Sequence, residues 1–372
     1  MTADHQLHHE RILVTGGCGF IGSALVRRLV GADGRCVANI DKLTYAGDIA
    51  NVAAIAAHKN YVFHQVDIND LAAVATVFEP FRPDGVIHLA AESHVDRSID
   101  APETFVRTNV LGTFNMLHAA HAYWRNLPAA EAARFRFLHV STDEVYGTLG
   151  ATGSFSEETP YRPNSPYSAS KAASDHLARA WHATYGLPVI VTNCSNNYGP
   201  HQFPEKLIPT MIIAALEGAD LPVYGAGENV RDWLFVEDHA DALCCALSRG
   251  LPGETYNIGG RAERRNIDLV RDICALLDGA LTDSPHRPHE NLIRFVADRP
   301  GHDLRYAIDD TKMRTQLGWQ PSRTLASGLQ QTVAWYLENR DWWMRHRDQR
   351  YDGGRLGLNH LSHDRKDRRH AG

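Results

Sequence analysis

Arg11-Ile12-Leu13-Val14-Thr15-Gly16-Gly17-Cys18-Gly19-Phe20-Ile21-Gly22 reads as a short apolar strand, a glycine turn and the start of a helix whose pattern runs on through Ser23 to Val30. Glycines let the backbone approach a pyrophosphate, and the first helical turn offers N–H groups and a favourable dipole. Such a pattern also fits a tight turn without a ligand, but the flanking strand and helix favour a cofactor site. Gly16, Gly19, Phe20, Ile21 and Gly22 are therefore candidate cofactor contacts. The next strand, Arg35 to Ile40, ends at Asp41, at the separation from the glycines where a carboxylate accepts from adenosine ribose hydroxyls. That favours NAD over NADP. Lys42 follows and softens the choice, because a cation accommodates a 2′-phosphate, but a phosphate beside Asp41 would be repelled. A simple turn cap is the plainer alternative for Asp41.

Outward from this unit, strands and helices alternate: Tyr61 to Val66, helix Leu71 to Phe78, Gly85 to Leu89, a long helix from Pro102 to Trp124, Phe135 to Val140, and Pro188 to Asn193. Repeated β-α units imply an α/β fold, a Rossmann-type doubly wound parallel sheet whose strand ends bind ligands. Asp67-Ile68 and Leu89-Ala90-Ala91-Glu92-Ser93 sit at such ends. Beyond Pro200 the pattern becomes mixed, and Gly253 to Ile258 reads as a strand returning to the first sheet. We expect an NAD-binding domain over 10–198, with a returning segment at 232–260, and a smaller mixed α/β lobe over 199–231 and 261–358. The basic, polar end, 359–372, reads as a disordered tail.

A formal charge of −6, with both signs interspersed, gives no chain-wide case for nucleic acid or an anionic membrane. Met1 to Glu10 lacks the apolar core of a signal peptide, and no apolar run approaches a membrane span, so a cytoplasmic location is expected. Six scattered cysteines and several histidines show no ligand spacing, which leaves no metal site and favours buried, reduced thiols.

The chemistry concentrates in Ser141-Thr142-Asp143-Glu144-Val145-Tyr146-Gly147 and Ser165-Pro166-Tyr167-Ser168-Ala169-Ser170-Lys171. The first follows an apolar strand. In the second, Ser165 reads as an N-cap and Pro166 as the first helical residue, which puts Tyr167 and Lys171 one turn apart on one face. A hydroxyl, two carboxylates, a phenol and an ammonium near a nucleotide cleft point to proton and redox chemistry. Asp143 and Glu144 as water-facing loop carboxylates, and Tyr167 with Lys171 as a surface pair, are the bland alternatives.

These stretches, with Asp41-Lys42-Leu43-Thr44-Tyr45-Ala46-Gly47, His88 through Ser98, Asn193 through Pro200, Arg231-Asp232-Trp233 and Arg299-Pro300-Gly301-His302-Asp303, resemble the extended short-chain dehydrogenase/reductases, and within them the dTDP-glucose 4,6-dehydratases. Cys18 stands where that family usually carries Ala, and His201-Gln202 where it carries Tyr-His. The resemblance implies resident NAD, a dTDP-glucose substrate and a homodimer built on the helices from Pro102 and Pro166. It adds Lys42, Thr44, Asp67, Ile68, Leu89, Ala90, Ala91 and Thr108 to the cofactor contacts, and implies that Tyr167 removes the 4-hydroxyl proton with Lys171 and Thr142 in support. Glu144 becomes the base for the C5 proton and Asp143 the acid for the departing C6 hydroxyl. A free phenol titrates near pH ~10, so lowering it by ~3 units takes about 4 kcal/mol, for which the Lys171 charge is the expected source. By the same resemblance Glu92, Ser93, Asn196, Lys206, Leu207, Pro222, Tyr224, Arg231, Asn266, Arg299 and Tyr306 contact the nucleotide sugar. A UDP-sugar 4,6-dehydratase, a 4-epimerase and a non-catalytic NAD sensor remain as alternatives; a 4-epimerase has no need of an acid at Asp143.

Overall fold

The computed structural model describes residues 9–298 and 302–350; Arg299 and the expected tail lie outside the described residues. Seven strands, β1 (Arg11–Thr15), β2 (Cys36–Ile40), β3 (Tyr61–His64), β4 (Gly85–His88), β5 (Arg136–Thr142), β6 (Val189–Cys194) and β10 (Thr255–Ile258), form one sheet in the order β10-β6-β5-β4-β1-β2-β3. Every pairing in it is parallel. Strand alternation divides the core. Ile12 and Val14 face a layer made with Leu25, Val26 and Leu243, whereas Leu13 faces Val74, Phe78, Met116 and Leu117. Both faces are covered, which explains why these strands read as nearly continuous apolar runs.

The helix Pro166–Tyr185 starts as its residues dictate. Ser165 accepts from Ser168 N, the reciprocal capping bond is present, Pro166 takes the first turn, and Gly186 at φ 74° ends it. The long helix expected from Pro102 departs from regularity. Its middle, Val106–Gly112, is π-helical. The widened turn brings consecutive Thr108 and Asn109 inward, and Asn109 uses the position fully: its Oδ1 accepts from Glu92 N (2.9 Å), and its Nδ2 donates to Glu92 O (3.0 Å) and Ser170 Oγ (2.8 Å).

A second core gathers Met211, Trp233, Phe235, Leu269, Tyr336, Trp342 and Trp343, so the aromatic run near the chain's end is packed inside. It carries a three-stranded sheet, β11 (Glu263–Arg265), β9 (Val230–Phe235) and β7 (Asn196–Tyr198), and a two-stranded one, β12 (Ile293–Val296) with β8 (Leu221–Tyr224). Strands β7, β9, β11 and β12 were not evident in the sequence: β7 and β11 are three residues long, and β9 holds the charged pair Arg231-Asp232 in its buried middle.

Candidate active site

The glycine turn follows β1 directly. Gly16 has φ +73°, and a Cβ there would meet Ala90 Cα at 2.9 Å; one on Gly22 would stand 2.1 Å from Gly16 O. Side chains at these positions would push apart the turn, the helix Phe20–Arg27 and the strand end at Ala90. The same glycines line a cleft with Phe20, Ile21, Asp41, Lys42, Thr44, Ile68, Leu89, Ala90, Ala91 and Thr108. Asp41 is fixed by two amides: Oδ2 accepts from Cys18 N at 2.9 Å and Oδ1 from Leu43 N at 2.8 Å. Burial pushes its carboxyl up, against those two bonds and the Lys42 charge, which pull it down. Lys42 in turn pairs with Asp67 at 3.5 Å; Asp67, expected among the cofactor contacts, is not on the cleft wall, although its neighbour Ile68 is. A pyrophosphate cradle of bare backbone with a buried ribose-type carboxylate fits NAD, and the carboxylate at Asp41 opposes an additional phosphate.

At the far end of the cleft lie Thr142, Asp143, Glu144, Tyr167 and Lys171. Thr142 ends β5 and caps the short turn Asp143–Tyr146, its Oγ1 accepting from Glu144 N. Its hydroxyl acts to lower the Tyr167 phenol and donates to Asp143 Oδ1 at 3.4 Å. Asp143 is buried, and its Oδ2 has no hydrogen-bond partner among the described residues. Burial first, then the charges of Glu144 and Asp232, push its carboxyl well up; Arg231 pulls the other way. The shift is in the direction of the protonated form, the form that can give up a proton.

The phenol departs from expectation. Burial and the neighbouring Glu144 push Tyr167 well up rather than down. Lys171, the expected source of a lowering, donates its Nζ to Val140 O at 2.9 Å, and burial lowers the ammonium itself. One helical turn beyond Lys171 sits the buried Asp175, which no motif in the sequence marks. Its carboxylate accepts from Ser141 Oγ (2.8 Å) and Tyr161 OH (2.9 Å) and meets His139 Nε2 at 3.0 Å. Burial raises Asp175, but the bond and charge of His139 and the charge of Lys171 outweigh it and hold the carboxyl low. This buried anion therefore supports the Lys171 cation.

Of the expected sugar-nucleotide contacts, Glu92, Ser93, Asn196 and Lys206 line the same cleft, Lys206 Nζ donating to Ser93 O at 3.0 Å. Leu207, Pro222, Tyr224, Arg231, Asn266 and Tyr306 are not on its wall but in the second lobe. There Arg231 lies over the Tyr306 ring at 4.3 Å and donates to Val230 O and Asp303 O, both at 2.8 Å. Tyr306 donates to Asp303, and the buried Oδ1 atoms of Asn196 and Asn266 lack partners among the described residues. Arg231 is joined to the catalytic end electrostatically, through Asp143. Ser195, Asn197, Gln202, Phe203 and Glu205, none of them among the candidate contacts, also line the cleft; the polar turn after β6 points to the first two and the departure at His201-Gln202 to the third, while nothing local marks Phe203 and Glu205.

With that geometry in place, the comparisons are specific. The family model described as GDP-mannose 4,6 dehydratase matches residues 13–332. A probable dTDP-glucose 4,6-dehydratase of Sinorhizobium fredii is 59% identical over 348 residues, spanning 94% of this chain and 99% of that protein. The crystal structure of a dTDP-glucose 4,6-dehydratase of Streptomyces venezuelae with NAD bound superposes with a TM-score of 0.82 at 45% identity, over 90% of this chain and 99% of the other. The corresponding structure from Bacillus anthracis in complex with NAD gives 0.80 and 44%, over 91% and 99%.

Proposed function

The chain belongs to the dTDP-glucose 4,6-dehydratases, within the family described as GDP-mannose 4,6 dehydratase, and from that premise we propose that it converts dTDP-glucose to the 4-keto-6-deoxy sugar nucleotide and water. The observation that carries this reading is Asp143: a buried carboxyl pushed well up, with one oxygen unpartnered among the described residues, next to Glu144. A 4-epimerase needs no such acid.

Direct loss of water is blocked because the C5 proton of the sugar is not acidic, and a ketone at C4 removes the block by delocalising the carbanion as an enolate. NAD bound in the cleft would supply what the side chains lack, taking up hydride from C4 and giving it back at C6. Gly16, Gly19, Gly22, Asp41 and the Leu89-Ala90-Ala91 strand end hold it. Tyr167 takes the 4-hydroxyl proton, with the Thr142 hydroxyl acting to lower the phenol. Glu144 removes the C5 proton. Asp143 protonates the C6 oxygen as the C–O bond breaks, so water leaves, and C5 then regains a proton. Glu92, Ser93, Asn196 and Lys206 orient the sugar, while Arg231, with Asn266 and Tyr306, takes the nucleotide diphosphate, for which a guanidinium is suited.

The lobes divide this labour: 10–198 with 232–260 for the cofactor, 199–231 and 261–358 for the nucleotide sugar. A homodimer in the cytoplasm completes the proposal. Val106, Leu111, Phe114 and Tyr185, on the helices from Pro102 and Pro166, are 50, 50, 37 and 50% exposed, an apolar group that a second copy would cover. Asp143→Asn tests the chemistry. It removes the acid and leaves the C4 oxidation, so turnover should fall by about 10²–10⁴-fold while reduced cofactor accumulates on adding dTDP-glucose. Undiminished turnover would contradict the assignment.

A further inference from the structure

Helix Arg340–Arg350 lies at the far end of the described chain, yet two of its side chains close on the loop that follows β2. Trp342 Nε1 donates to Asn51 Oδ1 at 2.8 Å, a buried bond across 291 positions. Asn51 Nδ2 donates to Cys18 O at 2.9 Å, and Asp48 N reaches the same carbonyl at 3.0 Å. Cys18 N completes the series by donating to Asp41 Oδ2 at 2.9 Å. Four residues thus link the C-terminal helix to the glycine turn and to the carboxylate expected at the ribose. One turn on, His346 Nε2 lies 3.1 Å from Asp48 Oδ2, and its ring packs on Trp342 and Phe203 with centroids at 4.4 and 5.4 Å. Phe203 meets Tyr45 edge-on at 5.4 Å, and Phe203, Thr44, Ala46 and Gly47 all line the cleft.

We propose that Trp342 is a positioning residue for the cofactor: through Asn51 it latches the 41–51 loop against the cleft, so that NAD leaves slowly and successive turnovers use the same molecule. This rests on the reading above, in which the cofactor ends each cycle in its starting state. Moving the loop outward strips Asn51 Oδ1 from a buried indole N–H, and an unmade buried hydrogen bond is costly. The latch touches none of the reacting groups. It therefore governs retention and leaves the chemical step alone.

Trp342→Phe keeps an aromatic ring among Trp335 and His346 and deletes only the N–H donor. The purified protein would be acid-extracted for its NAD content, and cofactor release followed by exchange against isotopically labelled NAD. We expect exchange roughly tenfold faster than in the unaltered protein, NAD lost on dialysis, and wild-type kcat recovered when NAD is added. His346→Leu removes the Asp48 contact and should shift exchange in the same direction, which keeps the test open if Trp342→Phe folds poorly. Trp319→Phe, a buried tryptophan in the core beside Met313 and Leu317, controls for general loss of packing and should exchange as the unaltered protein does. Unchanged exchange in both latch variants, or equally fast exchange in Trp319→Phe, overturns the latch. An unaltered protein that turns over dTDP-glucose only with added NAD, and never retains it, overturns the latch while sparing the dehydratase reading; one that neither binds NAD nor turns over contradicts both.

Discussion

Asp143 is the residue on which pH should act. Its folded-state pKa is raised, by burial first and Glu144 next, so the stability associated with its neutral form is complete below the ordinary carboxylate range and is lost as pH rises through the raised value. Asp143→Asn has nothing to ionise there. Thermal melts across that window should therefore show the variant gaining on the unaltered protein as pH rises, by on the order of 1–3 kcal/mol, the cost of a buried polar group without a partner. Parallel melting profiles would contradict the raised value. The sequence showed that Thr142, Asp143, Glu144, Tyr167 and Lys171 belong together, because a strand end and a helix start put them there. It did not show that burial raises Asp143. Nor did it show that Lys171 donates to Val140 O with Asp175 as its buried counter-charge, since burial and long-range charge have no local signature.

Among the elements, the helices from Pro102 and Pro166 carry two duties. Their inner faces hold Thr108, Asn109, Tyr167 and Lys171, while their outer faces expose Val106, Leu111, Phe114 and Tyr185. Leu111→Asp places an unpaired charge in the proposed dimer contact and should weaken association by about 3 kcal/mol or more, roughly a hundredfold in Kd. Sedimentation equilibrium would report monomers at concentrations where the unaltered chain is dimeric; an unchanged mass would place the dimer contact elsewhere. The parallel strands were legible because each is an apolar run closed by a polar or glycine turn. Strand β9 was not, since Arg231 and Asp232 interrupt it and are satisfied only by its neighbours: Asp232 accepts from Gly260 N and Ala262 N at 3.0 and 2.6 Å. The π-helical turn at Val106–Gly112 was hidden for a similar reason, its cause being the distant backbone of Glu92 and the hydroxyl of Ser170.

At the scale of the molecule, the large sheet follows from repeated β-α units, whereas the two small sheets are assembled from separate lengths of chain, a pattern no single window of sequence displays. The proposed reaction draws on both: Thr142 ends β5 of the large sheet, with Asp143, Glu144 and Tyr167 after it, and the charge of Arg231, on β9 of a small one, acts to lower the Asp143 carboxyl. The proposed enzyme runs a cycle of oxidation, elimination and reduction at one sugar on resident NAD. Incubating the purified protein with dTDP-glucose in deuterated water, without added NAD, and examining the sugar by mass spectrometry and proton NMR puts that cycle to the test. A 6-deoxy-4-keto product with solvent deuterium at C5 is expected. Unchanged dTDP-glucose, or a 4-epimer without deuterium at C5, would contradict it.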